Sequence, residues 1–133
     1  MPFVVDASIT ISWAMKDESD PRAEMALKRA ETDRPMVPAI WWYEARNILL
    51  VNERRGRITR HEAEAFLGFF EQFNAISFAI PDNGAVMDLA RKHRLTVYDA
   101  AYLALAVQQR VPLATLDRAL ETAACAEGVV LVA

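Results

Sequence analysis

The chain has one cysteine, two histidines and four glycines, and each scarcity removes a class of chemistry. Cys125 alone cannot close an internal disulfide, and with only His61 and His93 beside it there is no Cys/His set for a zinc cluster. No G-x-x-x-x-G-K-[ST] loop occurs, which argues against a P-loop nucleotidase. Long hydrophobic runs are missing too, since every apolar run falls well short of the roughly 20 residues that cross a bilayer. The opening MPFVVDAS lacks a basic n-region and its apolar run breaks at Asp6, so it is unlike a secretory signal. The expectation is a cytoplasmic protein with no membrane segment. A net charge of −3 excludes a uniformly basic nucleic-acid binder but leaves room for a local basic patch.

What is present suffices for a folded core. Hydrophobic residues make up 53% of the chain and charged residues 25%, and no repeat or linker-like tract interrupts it. One domain over residues 1–133 is expected. Apolar runs predict strands at Phe3 to Val5, Met36 to Ile40, Ile76 to Ile80 and Val129 to Val132, with a weaker one at Leu113 to Leu116. Helical spacing predicts helices at Pro21 to Glu31, Trp41 to Arg55, Thr59 to Phe73, Asp82 to His93 and Tyr98 to Gln109. Strands alternating with helices imply a parallel sheet covered on both faces, an α/β sandwich of three layers. Ligands of such sheets collect beyond the carboxyl ends of the strands, where strand order reverses.

Four acids draw attention against this frame. Asp6 follows the strand-like FVV and Asp117 follows LATL, so both are expected at carboxyl ends of strands, and each precedes a helix that it could cap. Glu44, in WWYEARNILL, has Ile40, Trp41, Asn47 and Ile48 one turn away and no cation among them, which points it inward or toward a cleft that Asn47 could share. Asp99 opens the apolar helix YDAAYLALA, where Thr96 and Asp99 resemble a capping box. Singly, each acid has a structural explanation. Together in one pocket they would repel and raise one another's pKa unless a hard divalent cation such as Mg²⁺ or Mn²⁺ neutralised them. Phosphodiester hydrolysis is a natural use of such a site, because the ion acidifies water and stabilises charge on the phosphate.

The order VVDAS, YEARN, YDAAYLALA and LATLDRAL, with Trp13 soon after the first, resembles the PIN-domain proteins, and more narrowly the VapC-type toxin ribonucleases of bacterial toxin–antitoxin pairs. The resemblance runs from end to end. It implies a PIN-like α/β/α sandwich with a central five-stranded parallel sheet, its first and fourth strands adjacent. It also implies a metal-dependent endoribonuclease whose Mg²⁺ or Mn²⁺ is held by Asp6, Glu44, Asp99 and Asp117, supported by Ser8, Asn47 and Thr115. A homodimer and a cognate VapB-like antitoxin, whose tail fills the acidic cleft, are further implications. An Arg of that tail could pair with the carboxylates in place of metal. Arg118 stands where some relatives carry a further acid.

An RNA substrate needs basic contacts, and Arg46, Arg54, Arg55, Arg57 and Arg60 cluster against Glu53 alone, with Arg91, Lys92 and Arg94 as a second group. Each is as readily a solvated helix surface. Trp13, Trp41, Trp42 and Tyr43 serve either a partner or the core. Asp82 is expected to cap the helix beginning DNGAVMD at a sheet edge, away from the site. Two rivals remain. An aspartyl-phosphate at Asp6 fares poorly because Asp6-Ala7-Ser8 lacks a second acid two residues on. A non-catalytic PIN-like module, using its acidic cleft for a basic peptide or protein, conflicts with the complete acid set.

Overall fold

The computed structural model describes residues 1–15, 19–79 and 82–132. Its elements, in chain order, are β1 (Phe3–Val5), α1 (Ala7–Ala14), α2 (Pro21–Arg29), β2 (Pro35–Pro38), α3 (Ile40–Arg54), α4 (Arg60–Gln72), β3 (Ile76–Phe78), α5 (Asn83–His93), α6 (Val97–Gln109), β4 (Leu113–Ala114) and α7 (Arg118–Ala126). The strands form one parallel sheet in the order β3-β2-β1-β4. Residues of β1, β2 and β4 are buried without alternation, as expected of a parallel sheet covered on both faces.

Strand order reverses between β1 and β4. Right-handed crossovers then send α1 to α4 over one face and α5 to α7 over the other. The observed packing agrees: α1 touches α2 and α3, and α3 touches α4, while α6 packs on α5, α7, β1 and β2. The central helix is α6, with Ala100 through Ala106 all buried. Its small residues divide the work. Ala100 and Ala104 meet Val86 and Ala90 of α5, and Leu103, Leu105 and Ala106 join the main core with Phe3, Ile9 and Leu113.

The five-stranded sheet expected from the sequence is not seen among the described residues. The segment at Val129 to Val132 contributes an isolated parallel bridge, Leu131 to Leu113, held by Leu113 N–H to Val130 O at 2.9 Å and Val132 N–H to Leu113 O at 3.0 Å. β4 is only two residues long, and of the two Leu113 faces this segment. Beyond β4, on the β1 side, Leu116 N–H donates to Ser8 Oγ, and Asp117 N–H donates to Thr115 Oγ1. The second strand also shifts, to Pro35–Pro38, with Ile40 already helical. Its two prolines sit at the strand ends, where a missing N–H harms the ladder least. Ile80, the predicted end of β3, lies outside the described residues.

Candidate active site

Asp6 leaves β1 and caps α1, and the residue is 3% exposed. Each oxygen is engaged. Oδ1 accepts from Ser8 Oγ at 2.6 Å and from Ile9 N–H at 3.1 Å, and Oδ2 accepts from the Thr115 hydroxyl across the β1–β4 boundary. Burial nevertheless dominates, pushing the carboxyl up to about 6 against these three hydrogen bonds, with the charge of Asp99 adding to the rise.

Asp117 lies three residues beyond β4 rather than directly at its end. It caps α7, with Oδ1 accepting from Leu120 N–H at 2.9 Å. Thr115 therefore occupies the place beside Asp6 that strand adjacency suggested for Asp117. Asp99 sits at the third position of α6, where its N–H donates to Thr96 Oγ1 at 3.1 Å. Burial raises its carboxyl, and the charge of Asp117 raises it further, opposed by the Thr96 hydroxyl.

Glu44 is half-buried on α3, and its Oε1 accepts from the Tyr102 hydroxyl at 2.7 Å. Burial raises this carboxyl also, ahead of the lowering hydrogen bond from Tyr102 and the raising charge of Asp99. Asp99 is thus the electrical centre of the group, shifted by Asp117 and itself shifting Asp6 and Glu44. The charged neighbours that move these three acids are acids themselves. Each of the three is held above the ordinary carboxylate range.

The four acids converge without closing on a point. Among the described residues no group of three or more His, Cys, Asp or Glu side chains is arranged to hold one metal ion. Mg²⁺ commonly takes only one or two carboxylates and keeps several waters, so an all-oxygen set of this kind fits such an ion.

Other predicted participants are placed as follows. Ser8 and Thr115 bear directly on Asp6, whereas Asn47 is exposed on α3, one turn after Glu44. Trp41 belongs to the core, its Nε1 donating to Thr10 Oγ1 at 2.9 Å, and Trp13 donates to Ala23 O while stacking on Phe73. Trp42 and Tyr43 are exposed, and the Arg46 guanidinium lies 3.8 Å over the Trp42 ring. Arg57 bonds Asn52 Oδ1, Arg60 pairs with Glu64, and Arg54 and Arg55 are exposed at the end of α3. Arg91 and Lys92 pair with Asp88 and Glu127. Asp82 stands at the N-cap of α5 but makes no side-chain cap bond, a correction to the expected capping role. Tyr102 was missed, counted among the apolar residues of α6. Its spacing of three from Asp99, which places both on one helix face, was the signal available.

A group of acids near the switch point of a parallel α/β sandwich, drawn from DAS, YEARN, YDAAY and TLD segments, defines the class, and the chain belongs to the PIN-domain family, which matches residues 3–124. Within that family it is of the VapC type. It is 38% identical over 124 residues to Ribonuclease VapC3 of Pyrobaculum aerophilum, covering 90% of this chain and 92% of that protein. Its structure resembles the crystal structure of PAE2754, also from Pyrobaculum aerophilum, with a TM-score of 0.74 and 26% identity over 99% of this chain and 84% of the other. Among the described residues no helix is long and apolar enough to cross a membrane.

Proposed function

We propose that this chain is the endoribonuclease toxin of a toxin–antitoxin pair, working as one PIN-like domain in the cytoplasm and hydrolysing RNA phosphodiester bonds with a divalent cation, Mg²⁺ or Mn²⁺. The observation that carries the reading is the coupling of Asp6, Glu44 and Asp117 through Asp99, three of the four carboxyls being raised, in a chain akin to Ribonuclease VapC3. Asp6, Glu44, Asp99 and Asp117 are the residues that would hold the cation. When bound, such an ion supplies the positive charge that the pocket lacks and the acidified water that phosphodiester hydrolysis needs.

The chain's own groups prepare that site. Ser8, Thr115 and the Ile9 N–H fix the Asp6 carboxylate in one orientation, so little reorganisation is left for the reaction. Raised carboxyls bind protons in competition with metal, so loading releases protons and strengthens with pH. Arg54 and Arg55 are available for phosphate contacts, which add affinity without reading sequence. A homodimer and an antitoxin with an arginine-bearing tail complete the reading, the tail satisfying the same carboxylates in place of metal.

The test is titration of partner-free protein with Mg²⁺ and Mn²⁺ beside a panel of structured RNAs. Metal binding with metal-dependent cleavage is expected. Neither at millimolar metal would favour a binding module that uses the acidic cleft for a basic partner.

A further inference from the structure

The buried run Ala100 to Ala106 contains one polar side-chain atom, the hydroxyl of Tyr102. Phenylalanine would fill nearly the same volume. A buried hydroxyl without a partner is costly, and this one is satisfied by a residue 58 positions away, Glu44, at 2.7 Å. Tyr102 itself is 1% exposed and fixed by the core, whereas Glu44 has three rotatable side-chain bonds and lies on another helix. The rigid partner therefore positions the flexible one. In this bond the phenol hydroxyl is the donor and the carboxylate oxygen the acceptor.

We infer that Tyr102 is the positioning residue for Glu44, holding Oε1 so that Oε2 remains available to a cation shared with the other acids. This rests on the proposed metal-dependent reading of the site. Ligands of a metal are commonly oriented by such a partner, and losing it typically costs 10- to 100-fold in metal affinity. Tyr102 touches neither substrate nor water in this role. It acts through Glu44.

A double-mutant cycle on full-length, partner-free protein tests it, with the Mn²⁺ dissociation constant read by electron paramagnetic resonance and cleavage kinetics read separately. Tyr102→Phe is expected to weaken Mn²⁺ binding about tenfold while leaving the melting profile cooperative. In a Glu44→Gln background the same change is expected to have no further effect on Mn²⁺. An unchanged dissociation constant for Tyr102→Phe, or an equal loss in both backgrounds, overturns the inference, because a packing defect acts regardless of Glu44. Should Tyr102→Phe unfold, 3-fluorotyrosine at position 102 supplies the alternative: it keeps the ring and alters only the hydroxyl's strength as a donor, and a changed Mn²⁺ dissociation constant in the wild-type background but not in Glu44→Gln is expected, no change in either being the overturning result. Wild-type protein that neither binds Mn²⁺ nor cleaves RNA overturns the metal reading itself. Wild-type protein that does both, alongside an unaffected Tyr102→Phe, overturns only the positioning role.

Discussion

Ser8 Oγ accepts the N–H of Leu116 at 2.8 Å and donates to Asp6 Oδ1 at 2.6 Å. One hydroxyl thus ties the segment after β4 to the acid after β1, across the point where strand order reverses. Ser8→Ala removes both bonds. Because the bond to Asp6 favours the charged form, its loss is expected to raise the Asp6 carboxyl beyond about 6. Carbon-detected NMR titration of Asp6 in metal-free protein checks the direction. The variant should also lose about 1 to 2 kcal/mol of stability at pH 8, with a smaller loss at pH 4, where Asp6 is protonated in both proteins.

Local pattern accounts for part of this fold and site, and contacts distant in sequence for the rest. Phe3 to Val5 is legible because an apolar run followed by an acid is the pattern of a buried parallel strand ending at a polar edge. The four acids are legible as candidates through their unusual settings, Glu44 above all, with no cation at helical spacing. The fifth strand was predicted from a sound apolar pattern at Val129 to Val132. In the fold this segment makes only the bridge from Leu131 to Leu113, the one residue of the two-residue β4 that faces it. Tyr102 was hidden for a different reason. Its partner is distant in sequence, and spacing within one helix says nothing of a hydroxyl's acceptor on another. For Asp99 a local signal existed and was half right: Thr96 caps its N–H, while the carboxyl answers chiefly to burial and Asp117.

Asp99→Asn separates a capping role from a site role. The bond that caps the helix runs from the Asp99 backbone N–H to Thr96, and asparagine keeps an oxygen for the Thr96 hydroxyl, so the cap survives the substitution and the melting temperature should hold or rise as repulsion among the acids falls. Removing the Asp99 charge also removes a cause of the raised Asp6 and Glu44 carboxyls, both of which should move down. RNA cleavage should fall at least about 100-fold, the upper end of what losing even a supporting partner of a metal ligand costs. Undiminished cleavage by a folded variant would remove Asp99 from the site.

Arg54 and Arg55 provide a test of substrate binding away from the carboxylates. Both are exposed at the end of α3, whereas Arg46 is stacked on Trp42 and Arg60 is paired with Glu64. If both contact phosphates, replacing them by Ala weakens RNA binding and flattens its dependence on log salt by about 1.4, from about 0.7 per phosphate on a single strand. Cleavage of saturating RNA should be unchanged. Binding measured from low to moderate salt decides it: parallel salt lines for variant and wild type would place the RNA elsewhere.

Asp6→Asn reports what the buried charge costs when no metal is present. A carboxyl raised from 3.8 to about 6 on folding is protonated in the native state over a range where the unfolded chain has already released its proton. Native protein binds more protons there, so stability falls as pH rises between about 4 and 6 and stays lower above that range. At 1.36 kcal/mol per pH unit, the rise corresponds to about 3 kcal/mol. Asparagine carries no charge and can keep the same partners, its oxygen accepting from Ser8 and Ile9 while its amide donates to a rotated Thr115 hydroxyl. The variant should therefore melt higher than wild type at pH 8 and nearly together with it at pH 4. Thermal melts in chelator at the two pH values measure this, and equal melting temperatures at pH 8 would show that ionised Asp6 carries no net cost in the fold. Adding Mn²⁺ at pH 8 should narrow the gap by stabilising the wild type alone, because a ligand that binds only the native acid site raises its stability by mass action.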